Sequence, residues 1–188
     1  MAKIPASGLP ALDLQPGELH IATRPTVVTT ILGSCVSLTL FHPSSRTGAI
    51  CHGVMPRRDK GRERLSPPFP EVEDCFRFVD CAIRHMIGFF DRQGLGRSAL
   101  TAKLFGGGDM FATSAGQISI GRQNVAVALQ EVKDHALRLA ASDVGGLTGR
   151  KIVFLTHTGQ VFLKRLGQTD PNMIANLKFD AVPGWRGP

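Results

Sequence analysis

Hydrophobic and polar positions follow two periods along this chain. Period two dominates. Val36, Leu38 and Leu40 alternate with Ser37 and Thr39, the pattern of a half-buried strand. Residues 26–31 are all β-branched, which suits a buried strand. Residues 18–22, 49–55, 99–105 and 140–144 read as further short strands. Residues 151–155 and 160–164 flank His157-Thr158-Gly159, which predicts a hairpin. Two stretches keep a helical period instead. One starts at Glu71 and places Val72, Phe76, Val79, Ile83, Met86, Ile87 and Phe90 on one face, with Glu71, Glu73 and Asp74 at its positive end and Gly94 and Gly96 closing it. The other starts near Asn124, with Val125, Leu129, Val132, Ala136 and Leu139 facing inward. Strands outnumber helices and most neighbours are hairpin-linked, so the expected fold is one α+β domain with largely antiparallel sheet.

Composition narrows the classes. The 188 residues, 43% hydrophobic, suffice for one well-filled domain. No apolar run reaches the roughly 20 residues that cross a bilayer, and the first residues lack a signal-peptide core, so a cytoplasmic protein that is not membrane-inserted is expected. In that setting Cys35, Cys51, Cys75 and Cys81 are expected as free thiols. The net charge of +7 invites nucleic acid. Its distribution argues otherwise: Arg57, Arg58, Lys60, Arg62 and Arg64 share one Pro-containing loop with Asp59 and Glu63, and the chain has no Tyr and one Trp. That loop suits an acidic protein or an anionic surface equally well. Residues 1–17 are expected to be a flexible N-terminal segment, 18–166 the domain, and 167–188 a mobile C-terminal tail.

Candidate chemistry sits where the β-branched run breaks at Gly33-Ser34-Cys35. A turn about Pro43-Ser44 folds the next two strands together so that residue numbers summing to about 87 oppose each other, which brings His52 to Cys35. A thiol attacks as thiolate and needs a base; His52 supplies one. Gly33 and Ser34 let backbone N–H groups approach a developing oxyanion. A third group must orient the imidazole, and Thr29, Thr30, Ser34 and Asp109 are all eligible. The competing reading is a plain one, since free cysteine is often simply core. A metal site is disfavoured: Cys75, Cys81 and His85 lack a Cys-x-x-Cys partner pair, and Cys81 and His85 fall off the apolar stripe. Gly106-Gly107-Gly108 lacks the Lys-Ser/Thr of a phosphate loop and reads as a tight turn, with Gly107 bordering a substrate cleft. Nothing implies a cofactor.

Six pieces in order resemble the CheD family of chemoreceptor glutamine deamidases: residues 29–36 (TTILGSCV), 51–56 (CHGVMP), 78–83 (FVDCAI), 103–111 (KLFGGGDMF), 120–125 (IGRQNV) and 143–151 (DVGGLTGRK). Met55 stands where the family usually has Leu, and Phe78 where it has Tyr. The resemblance implies a layered α/β/β sandwich with two main helices and a Cys-His-Thr site, with Cys35 as nucleophile, His52 as base and Thr29 as third member; Thr30 is what a one-residue register change would select. It implies hydrolysis of protein glutamine to glutamate in chemotaxis adaptation. The implied partners are the cytoplasmic helical region of chemoreceptors and a CheC-type phosphatase, with the protein recruited to receptor arrays. The alternative is a non-catalytic module that binds receptors or such a phosphatase.

Overall fold

The structure, a computed structural model, describes residues 8–57, 75–109, 117–166 and 180–181. Among the described residues, ten strands form two five-stranded sheets. The first has the order β1 (Ala11–Asp13), β3 (Val27–Leu32), β8 (Arg150–Leu155), β9 (Gln160–Arg165), β10 (Asp180–Ala181). The second has the order β2 (Leu19–Ile21), β5 (Thr47–Cys51), β4 (Val36–His42), β6 (Thr101–Gly106), β7 (Arg138–Val144). Pairing is antiparallel except β1 with β3 and β6 with β7. Helices α1 (Val79–Arg92) and α2 (Ile120–Asp134) complete the α+β fold.

Alternation along the strands sorts the side chains into layers. Val28 and Leu32 of β3, Ile152 and Phe154 of β8 and Val161 of β9 meet Ile50 and Phe105 between the sheets. Val36, Leu38 and Leu40, on the other face of β4, pack with Val79, Ile83, Met86 and Phe90 of α1 and Ala128 and Val132 of α2. The order is helices, second sheet, first sheet. The break at Gly33-Ser34-Cys35 is the point where the chain passes from one sheet to the other, between β3 and β4. A crossing loop of this kind is short of ladder partners, so its backbone is available for chemistry.

Several expectations are corrected. Residues 8–17 do not wander: Ala11–Asp13 pair with β3, and Leu14 is core, because this Pro/Ala stretch gains a ladder it could not form alone. Cys75 and Cys81 are joined as a disulfide, leaving Cys35 and Cys51 free; a turn at Phe76-Arg77 separates the helical Cys75 from α1, which begins at Val79, so the chain folds back there. The second helix starts four residues early because Ser119 caps it, accepting from Arg122 N–H at 3.2 Å. Its buried face carries Asn124, Ala128, Glu131 and Val132, while Leu129 is 40% exposed. Glu131 tolerates burial through a two-pronged bond from Arg84 of α1 at 2.7 and 2.9 Å. The residues expected to open α1, 71–74, lie outside the described residues. So do most of the basic loop and of the 167–188 tail, although residues 180–181 pair with β9.

Candidate active site

Residue pairing in the β4–β5 hairpin runs Thr39 to Ile50 and Leu40 to Ala49, and an isolated bridge continues it from Val36 to Gly53. The paired numbers sum to 89, not 87, because the turn is centred one residue later than Pro43-Ser44. His52 therefore faces Ser37 directly and Cys35 diagonally. Cys35, Ser37 and His52 all point into the space between the sheets, since Val36 and Cys51 belong to the helix side. Diagonal neighbours of this kind lie roughly 7–8 Å apart at Cα, within reach of a long imidazole. The two residues share a face of the second sheet.

His52 is 2% exposed and firmly held. Its backbone N–H donates to Glu18 O at 2.9 Å, and its carbonyl accepts from Gly17 N–H at 2.8 Å. The next residue has no room for a side chain: a Cβ on Gly53 would lie 2.7 Å from Val79 Cγ2 at the start of α1. The ring is oriented from the other sheet. Thr30 Oγ1 lies 2.7 Å from His52 Nδ1 and also donates to Leu14 O at 2.8 Å. A hydroxyl has one proton, and the Leu14 carbonyl can only accept. With the Thr30 proton on Leu14 O, Nδ1 must carry the hydrogen that points at Thr30. This assigns the free lone pair to Nε2, which is buried and has no hydrogen-bond partner among the described residues. Burial holds the His52 pKa below the ordinary imidazole value, against smaller upward influences from the Leu14 carbonyl and Glu18. The ring is thus a neutral base at pH 7 with its accepting nitrogen unengaged.

Thr29 does not meet His52. It shares the outer face of β3 with Val27, which packs with Val153 and Phe162. Thr29 supports the site only through its carbonyl, which accepts from Leu14 N–H at 2.8 Å. Asp109 does not reach the imidazole either; it accepts from Ser119 and pairs with Arg122 at 2.9 Å. Of the four eligible orienting groups, Thr30 is the one placed on the ring.

Cys35 is half-buried, and burial raises its thiol above the ordinary value while its own backbone N–H pulls the other way. The loop around it is tied from outside through three successive carbonyls. Gly33 O accepts from Gly108 N–H at 2.8 Å, Ser34 O from Asn124 Nδ2 at 3.0 Å, and Cys35 O from Gly107 N–H at 2.7 Å. No backbone carbonyl among the described residues accepts from the Ser34 or Cys35 N–H. Gly107 sits between the cysteine loop and α2: at φ +66°, its Cβ would lie 2.2 Å from Val125 Cγ2 and 2.9 Å from Gly121 O. The glycine triplet is held in turn by Arg150, almost fully buried, whose guanidinium donates to Gly106 O and Gly145 O beside Asp143. Sequence reasoning kept Thr30 among its eligible groups, with Thr29 preferred through the resemblance, and it missed Asn124 and Arg150. Neither of those two left a signal, whereas Thr30 was the neighbour selected by a one-residue change of register.

A half-buried thiol, a buried imidazole whose Nε2 has no partner among the described residues, and two loop N–H groups with no backbone acceptor among them form an arrangement that suits acyl transfer. The family profile described as CheD chemotactic sensory transduction matches residues 66–165. The chain is 46% identical over 162 residues to the probable chemoreceptor glutamine deamidase CheD 2 of Geobacter sulfurreducens, covering 86% of this chain and 94% of that one. It is 36% identical over 157 residues to the probable chemoreceptor glutamine deamidase CheD of Maridesulfovibrio salexigens (81% and 90% covered). A relative of the same description from Methanococcus maripaludis is 30% identical over 153 residues (81% and 94% covered). The chain belongs to the CheD family.

Proposed function

We propose that this protein hydrolyses glutamine side chains of chemoreceptors to glutamate, with Cys35 as nucleophile, His52 as base and acid, and Thr30 as the residue that orients His52. The Cys35 thiol attacks the carboxamide carbon as its proton passes to His52 Nε2. The oxyanion is met by the Ser34 and Cys35 N–H groups. The C–N bond breaks, Nε2 returns the proton to the departing nitrogen, and ammonia leaves a thioester on Cys35. Water then attacks, giving its proton to Nε2; the C–S bond breaks, the sulfur is reprotonated, and glutamate is released.

The observation that carries this reading is the Thr30–His52 contact, 2.7 Å across the two sheets. It sets the tautomer that base catalysis at Nε2 requires. The partners that fit are the cytoplasmic helical regions of receptors, with the protein cytoplasmic and recruited to their arrays, and with a CheC-type phosphatase as a second partner. No helix among the described residues is long and apolar enough to cross a membrane. The test is mass spectrometry of a glutamine-bearing receptor fragment with and without the protein. A gain of ~1 Da per site is expected from the hydrolysis, and Cys35→Ala should abolish it. Conversion by Cys35→Ala at the wild-type rate would refute the assignment.

A further inference from the structure

Asn124 is fully buried on the inward face of α2, in a position that an apolar residue would fill by pattern. Its carboxamide does not bond within its own helix. Nδ2 has two hydrogens and both are used, one on Ser34 O and one on Val54 O, each at 3.0 Å. Ser34 directly precedes the nucleophile, and Val54 follows the base by two residues. Asn124 is the one side chain among the described residues that holds both the cysteine loop and the strand carrying His52. Oδ1 is buried with no hydrogen-bond partner among the described residues. A buried amide left half-satisfied is costly, so retaining one here calls for a compensating role.

The carbonyl it takes matters for the direction of the loop. Peptide planes are rigid, so fixing the Ser34 carbonyl also fixes the N–H of Cys35 in that same plane. The neighbouring carbonyls of Gly33 and Cys35 are held by backbone N–H groups of Gly108 and Gly107, which no side-chain substitution removes. Ser34 O alone depends on a side chain.

We infer that Asn124 is a positioning residue: its carboxamide locks the plane that aims the Cys35 N–H and sets the separation of Cys35 from His52. It touches neither substrate nor reacting atoms. The inference rests on Cys35 and His52 being the reacting pair, so Cys35→Ala is the reference throughout.

Asn124→Ala removes both donors without adding charge. On a glutamine-bearing receptor fragment, kcat should fall about 10- to 100-fold with KM within about twofold, since a misplacement of roughly 1 Å costs on that order. Iodoacetamide should alkylate Cys35 with an altered pH profile. Glu131→Gln, a buried polar change on the same helix away from the site, should lower Tm while leaving kcat and the alkylation profile as they are. If Asn124→Ala does not fold, Asn124→Val, which fills more of the space and likewise carries no donor and no charge, takes its place. In the wild-type protein, the Asn124 side-chain amide protons should exchange slowly and their NMR signals should move when Cys35 is alkylated. A folded Asn124 variant with wild-type kcat and alkylation profile would overturn the inference, as would wild-type amide protons that exchange freely and ignore alkylation. If Cys35→Ala itself stays active, the reading of the reacting pair fails instead.

Discussion

Thr30 of one sheet meets His52 of the other at 2.7 Å, Oγ1 to Nδ1, and its second bond to Leu14 O fixes which ring nitrogen bears the proton. Replacing Thr30 by Val leaves a buried Nδ1–H unsatisfied, a loss of about 1–3 kcal/mol, or roughly 5- to 150-fold in rate. Thr29→Val, on the outer face, should stay within about twofold of wild type. Steady-state ammonia release by the two variants distinguishes them; the reverse ranking would return the role to Thr29.

The resting pair is thiol and neutral imidazole, because burial raises Cys35 and lowers His52. Alkylation of Cys35 by iodoacetamide should therefore still be rising at the ordinary thiol value and show no plateau in the neutral range. A flat, fast rate from pH 6 to 8 would indicate a preformed thiolate–imidazolium pair and contradict this electrostatic picture.

Acid should destabilise the fold through the same histidine. The folded state keeps His52 neutral, whereas the unfolded chain takes up a proton below the ordinary imidazole value of about 6.5. The contribution is thus complete above that pH and lost as pH falls below it. His20, His85 and His157, also lowered by burial, act in the same direction. Thermal melts should show Tm dropping between pH 7 and 5, with a shallower drop in His52→Gln. An unchanged pH slope in that variant would remove His52 from the account.

With Cys75 and Cys81 joined, the protein denatured without reductant should show two reactive thiols, Cys35 and Cys51, out of the four cysteines. Four reactive thiols in protein kept from reductant would show that the pair is not oxidised in solution.

Arg84 is about half exposed, but the Glu131 carboxylate it holds is buried, with His135 as its other neighbour at 3.3 Å. Arg84→Ala should destabilise by about 1–3 kcal/mol, the range for a buried polar group losing its main partner. Denaturant unfolding measures this, and a change under 0.5 kcal/mol would mean the ion pair is idle.

Much of this was legible in the sequence because β-strand alternation is a local property. The β4–β5 hairpin, the β8–β9 hairpin and the diagonal placement of Cys35 and His52 on one face all follow from it. The register missed by two in the sum because only the turn sets it, and the 43–48 stretch allows more than one centre. The choice between Thr29 and Thr30 depends on which face of β3 meets the second sheet. Both faces of that strand carry β-branched residues, so the pattern was silent. Asn124, Glu131 and Arg150 occupy core positions that apolar periodicity assigns elsewhere. Two of them bond backbone carbonyls, and Glu131 bonds an arginine on the other helix; none of these partners leaves a trace in local spacing.

The central claim is that glutamine hydrolysis passes through a thioester on Cys35. The direct measurement is intact-protein mass spectrometry after acid quench during turnover of a glutamine-bearing receptor peptide, followed by peptide mapping. The account predicts an adduct equal to the peptide less ammonia, located on Cys35 and absent from Cys35→Ala. Turnover with no adduct on Cys35 in wild type, and undiminished in Cys35→Ala, would contradict it.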